Sequence, residues 1–230
     1  MLIAAPAFIG HLPNNAIGLS PNTMAAMTSR PPPAARRKAP EERRAELIEA
    51  ASVIALTDGL DKVTARRVAA ALGVFPGLVD HYFSADQLVA AAFAHAASKE
   101  RDELFAQAEA AGDPVIQIKR LMSGWMLPDH DDVGLMWLDA WQACRHRPAL
   151  KDEVAAQMDE DVSRLAQVIQ LGIDSGDLPD VVADTAAVQI MSLMDALLAQ
   201  SVMSDVFDYS DTRALVAAVV EQILGVDLRE

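Results

Sequence analysis

The chain has almost no means of cross-linking itself. It holds one cysteine, Cys144, among 230 residues, which excludes an internal disulfide framework and a four-cysteine zinc site and suits a reducing cytoplasm. Aromatic residues are scarce, at 5%, and β-branched runs are few, so little favours a sheet. No stretch has the length and apolarity of a membrane-spanning helix. The apolar opening lacks a basic flank and contains Pro6, so no signal peptide is expected. The leader through Thr23 reads as disordered, with Met24 and Met27 as alternative starts. Enzyme signatures are missing too: there is no phosphate-binding glycine loop, no Gly-x-Ser-x-Gly elbow and no Glu-x-x-His pair of a di-iron bundle. Asp129-His130-Asp131-Asp132 lacks the glycine and distal glutamate of a calcium loop and reads as a polar loop. No catalytic residue, metal ligand or cofactor is expected.

What is abundant is alanine, within a hydrophobic content of 52%. Ala and Leu in periodic blocks favour helices, and an all-α protein is expected. Net charge is −14, but its position matters more than its sum. Nine Lys and Arg stand against seven Asp and Glu up to Ser84, and ten against 26 from Ala85 onward. The Debye length at physiological salt is about 8 Å. The mildly basic first part can therefore keep its own field beside an acidic second part, and any polyanion it meets would be bound in a salt-sensitive way.

Composition and periodicity divide the chain into three parts. Residues 1–40 form a leader and basic arm, where Pro31-Pro32-Pro33 precede Arg36-Arg37-Lys38. The arm is either a solvated tail or a positive segment that touches phosphates. Residues 41–84 hold three short helices. The first, over 41–56, puts Leu47, Ile48, Ala51, Ile54 and Ala55 on one face, and Gly59 can adopt a left-handed cap. The second runs from Thr64, whose hydroxyl can accept from the amide of Arg66 or Arg67, to Leu72. Gly73 makes a sharp turn, and Pro76 opens a third helix ending at Tyr82. Ala69, Gly73 and Val79 carry helix-turn-helix spacing, with Val68, Leu72 and Val79 as the apolar wedge. Residues 85–230 read as an antiparallel helical body, which brings the total to about nine helices.

The run through Thr64-Ala65-Arg66-Arg67-Val68-Ala69, Gly73-Val74, Pro76-Gly77-Leu78-Val79 and His81-Tyr82-Phe83 resembles the TetR-family signature, in the form found in betaine-type repressors. Glu46–Ala51 and Asp58-Gly59-Leu60 match as well, and the resemblance covers about Glu42–Asp102. It implies a dimeric, cytoplasmic transcriptional repressor that binds a pseudo-palindromic double-stranded operator and is released by a small-molecule effector. The third helix would lie in the major groove. The residues implied at DNA are Arg43, Arg44, Thr64, Arg66, Arg67, Phe75, Pro76, Gly77, Leu78, Asp80, His81 and Tyr82. Tyr82 reaches a phosphate or packs inward; Phe83 is core. Phe75 stands where the family usually has a Ser or Thr cap, and a phenyl ring cannot cap an amide. It either meets a thymine methyl or covers the turn. Asp80 can accept from a cytosine amine or discriminate against wrong sites. Asp86 stands where many members carry a phosphate-binding Lys, and repels phosphate.

The last two helices are apolar nearly all round, which means burial on both sides. They form either a monomer's core or a two-fold four-helix dimer interface, with Ile190, Met194, Leu197, Leu198, Val216, Val220 and Ile223 as interface residues. Met122, Trp125, Met126, Trp137 and Trp141 are either core or the lining of a lipophilic effector pocket, with Asp139 or Glu100 able to favour a cationic ligand. Cys144 reads as buried and inert. Two other readings stay open. One is a DNA-binding regulator with no small-molecule effector. The other is an all-helical carrier or enzyme with a non-functional head.

Overall fold

The computed structural model describes residues 38–126, 131–201 and 210–228. Among them the regular structure is entirely helical. The head contains α1 (Pro40–Asp58), a 3-10 turn (Leu60–Lys62), α2 (Ala65–Leu72) and α3 (Pro76–Tyr82). The rest is α4 (Ala85–Glu109), α5 (Pro114–Trp125), α6 (Asp131–Ala143), α7 (Pro148–Ser175), α8 (Ala183–Ser201) and α9 (Ser210–Leu224). The leader, nearly all of the basic arm and the Asp129-His130 part of the acidic loop lie outside the described residues.

Local chemistry explains most boundaries. Pro occupies the first turn of α1, α3, α5 and α7, where its missing N–H costs nothing. Ser84 caps α4 in a reciprocal box with Gln87, and Asp113 accepts from the Ile116 amide at 3.0 Å to start α5. Gly176 ends α7 in the left-handed region. Gly59 differs from the expected left-handed cap. Its φ is +98°, which glycine alone adopts readily, but its ψ of 156° lies outside the left-handed helical well and turns the chain straight into the 3-10 turn.

Two apolar clusters result. The first joins Leu47, Ala51 and Ile54 of α1, Val68 and Ala69 of α2, Val79 of α3 and Leu88, Val89 and Phe93 of α4. It also takes in Met136 and Ala140 of α6 and Leu150 and Val154 of α7. The second joins Leu104 and Phe105 at the far end of α4 to Ile118 and Leu121 of α5, Leu165 and Ile169 of α7, Ile190 of α8 and Val220 of α9. The seam between them crosses α4 beyond Ala97, and the described residues from Ala39 onward pack as one unit.

Candidate nucleic-acid interface and effector region

The reading surface is made by two short helices whose ends are fixed locally. Thr64 Oγ1 accepts from the Arg67 amide at 3.3 Å, starting α2. Gly73, at φ 65° and ψ 32°, ends it; Val74 N then returns to Ala69 O at 2.9 Å, closing the bend. Val79 is fully buried and Phe83 is core. Anchored by Val79, α3 turns Pro76, Gly77, Asp80 and His81 to solvent. Leu78, one of the residues implied at DNA, is half-buried, as is Tyr82, whose ring meets His81 edge-on at 5.4 Å. Phe75 occupies the cap position of α3, makes no side-chain cap, and is 86% exposed. The alternative in which it covers the turn does not hold.

The basic residues divide by partner. Arg67 pairs with Asp58 at 2.6 Å and Arg43 with Glu46 at 2.6 Å. Arg44 lies over the Phe83 ring, 4.9 Å from its centroid. Arg66 and Thr64 are exposed. Asp86 has a partner that the sequence did not disclose: its Oδ2 accepts from the Ala149 amide of α7 at 3.0 Å.

The five expected pocket residues fall into two groups. Met122 is buried in the second cluster, with Trp125 and Met126 packed against it; Trp125 meets Phe105 edge-on at 6.2 Å. Trp137 and Trp141 pack on the first cluster, with Trp137 edge-on to Phe93 at 4.8 Å. The Trp141 indole N–H is buried without an acceptor among the described residues. An open cleft of about 460 Å³ between α4 and α5 is lined by Glu100, Glu103, Lys119 and Arg120 among others, and by none of the five. Asp139 accepts from the Leu60 amide at 3.4 Å. Cys144 is half-buried, its thiol donating to Trp141 O.

Sequence reading missed a polar group in the interior of the body. Arg101, nine-tenths buried, reaches Asp161 Oδ1 at 3.3 Å and Gln157 O at 3.4 Å. Burial pushes the Asp161 carboxyl up to about 6 against the opposing pull of Arg101, and the charge of Asp195 adds to the rise. Burial likewise raises Asp195 to about 6. The residues lie far apart in sequence on α4, α7 and α8, so no local pattern signals them. Of the expected interface residues, Ile190, Met194, Leu197, Val216 and Val220 are buried in this chain's own core; Leu198 and Ile223 are half-buried. The large apolar side chains exposed on those two helices are Val188 and Leu215. Among the described residues no group of three ligating side chains could hold a metal, and no helix is long and apolar enough to cross a membrane.

Residues 124–225 match the family described as BetI-type transcriptional repressor, C-terminal. A transcriptional regulator of the TetR family from Cytophaga hutchinsonii superposes with a TM-score of 0.68 at 16% identity, over 85% of this chain and 100% of that one. A TetR transcription regulator from Haloarcula marismortui gives 0.67 at 21%, over 80% and 99%. A protein from Saccharomonospora viridis, solved in complex with choline, gives 0.65 at 21%, over 80% and 98%. At such identities the likeness shows the fold. The fold is that of TetR-family regulators, and residues 124–225 are similar to the C-terminal domain of BetI-type repressors. The TetR architecture, a helix-turn-helix head on an all-helical body, accounts for the order of α1–α9. No curated protein sequence matches this one.

Proposed function

We propose that the protein is a transcriptional repressor that grips a pseudo-palindromic operator as a dimer and lets go when a small molecule enters the body. The observation that carries the DNA-binding half is the outer face of α3. Phe75 is a large apolar side chain left 86% exposed beside Pro76, Gly77, Asp80 and His81. A side chain at Gly77 would meet nothing within 4 Å, so no packing demand inside the protein accounts for glycine there. Close approach of a nucleic-acid backbone does. Thr64 and Arg66 add phosphate contacts, and Asp80 and Phe75 read bases. The dimer forms through α8 and α9, where Val188 and Leu215 are 51% and 63% exposed and the inner stripe of both helices is already filled. The choline complex of the Saccharomonospora relative supports a small organic cation as the first effector class to test.

A regulator without a small-molecule effector is supported by one observation: Met122 and Met136 are buried in the two cores, occupying volume that a ligand would need. The deciding experiment is selection of duplexes from a random pool by the full chain, followed by a release screen on the best binder. The expected result is enrichment of two inverted half-sites spaced about 34–36 Å apart, bound by two chains. No enrichment at modest ionic strength would overturn the DNA-binding reading. Enrichment without release by any compound would leave the effector-free regulator.

A further inference from the structure

Two carboxylates hold the head and the helix that leaves it: Asp139 of α6 reaches the head's 3-10 turn, and Asp86, at the start of α4, reaches α7; each takes an amide that a helix start leaves orphaned. Asp139 belongs to α6, on the same face as Met136 and Ala140, which are buried in the cluster built on α1–α4. Its Oδ2 accepts from the Leu60 amide at 3.4 Å. That amide opens the 3-10 turn, whose own bonds run from Lys62 to Gly59 O and from Val63 to Leu60 O, so it has no partner within the turn. The contact also needs Gly59. Its φ is +98°, and a Cβ there would stand 3.2 Å from the Asp139 carboxylate. At the second point, Asp86 sits in the first turn of α4, directly after the head and two residues before Leu88 of the same cluster. Its Oδ2 accepts from the Ala149 amide at 3.0 Å, in the first turn of α7. No side chain of α7's own cap residue, Arg147, does this; the Arg147 guanidinium lies 3.8 Å from the other Asp86 oxygen.

Apolar packing is non-directional, so Met136 and Ala140 hold the head against α6 without fixing its angle. The Leu60–Asp139 bond ties the head itself to α6, and the Asp86–Ala149 bond ties the first turn of α4, the helix that follows the head directly, to α7; hydrogen bonds to charged acceptors are directional, and the two together leave the head little freedom to pivot. We propose that Asp139 and Asp86 are orienting residues that fix the pitch of the head on α6 and α7, and so set the half-site separation the dimer accepts. The inference rests on the reading of the chain as a dimeric DNA binder. It assigns to Asp86 a structural use in place of phosphate repulsion.

The test measures binding of the full chain to duplexes carrying two selected half-sites, with the separation varied one base pair at a time, and to a duplex with one half-site. The wild type should prefer one separation sharply, by about tenfold over its neighbours, the scale set by one hydrogen bond to a charged group. Asp139→Ala and Asp86→Ala should flatten that preference and leave single half-site binding within about twofold, since neither residue lies on the reading face. Asp139→Asn, which keeps a carbonyl acceptor for Leu60, should restore the sharp profile and guards against an unfolded alanine variant. A wild type that selects no sequence would overturn the DNA-binding reading and this inference together. A sharp wild-type profile shared by both alanine variants, or equal loss of single half-site binding and spacing preference in both alanine and asparagine variants, would overturn this inference alone.

Discussion

The two apolar clusters differ in how they meet polar chemistry. The first, around Leu47, Phe93 and Met136, has carboxylates at its margin, and those carboxylates bond to backbone amides. The second, around Leu121, Leu165 and Ile190, belongs to the same long helices α4, α7 and α8 that carry Arg101, Asp161 and Asp195, with two carboxyls pushed up to about 6. The difference is that the first cluster is edged by carboxylates bonded to backbone amides, with Asp86 Oδ1 and the Trp141 N–H left without hydrogen-bond partners among the described residues, whereas the body carries carboxyl charge that burial disfavours. A region whose ionised state is costly in the folded protein is easier to shift than one tied by carboxylate-to-amide hydrogen bonds.

The strongest way to break the comparison is to open the first cluster. Phe93 is fully buried and packs edge-on to Trp137, so Phe93→Ala is expected to cost about 3–5 kcal/mol, measured by urea unfolding. A cost under about 1 kcal/mol would mean that the cluster collapses into the void and is as adaptable as the second.

The next effect is smaller and has the opposite sign. Asp195 has a folded-state pKa of about 6, above that of an unfolded aspartate. The folded protein therefore holds a proton that the unfolded chain has released between about pH 4 and 6. Stability falls as pH rises through that window and stays lower above it. Asp195→Asn should remove the penalty, raising stability at pH 8 by about 1 kcal/mol once the group's partial exposure is allowed for. The gain should vanish at pH 4.5. Unfolding curves at both pH values check this, and a gain independent of pH would assign the effect to packing instead.

The smallest expected change in stability sharpens the contrast between core and reading face. Phe75→Ala should alter the unfolding free energy by less than about 0.5 kcal/mol, because the ring is 86% exposed. Competition binding on the selected operator should nevertheless show an altered base preference. A large loss of stability would mean that the ring serves the fold.

Legibility in sequence followed the range of the contact. The Thr64 cap, the Gly73 bend, the Ser84 and Asp113 caps and the burial of Val79 and Phe83 each depend on neighbours within a few residues, and the pattern discloses them. Leu60 and Asp139 are 79 residues apart, and Asp86 and Ala149 are 63 apart. Nothing local marks such partners. The geometry of Gly59 was misread for the same reason: its extended ψ leads into a turn held by a distant carboxylate. Breadth of apolar surface on α8 and α9 was legible, but periodicity alone could not say which side faces inward. Burial of Ile190, Met194 and Val220 makes the chain's own interior the owner of that stripe.

The placement of the three indole rings has a practical consequence. Two of them, at positions 137 and 141, lie against the packing that carries the head, while Trp125 lies against Phe105 at the other end of α4. Emission from variants that retain one ring or the other would follow loosening at each end of the protein separately, with no attached dye.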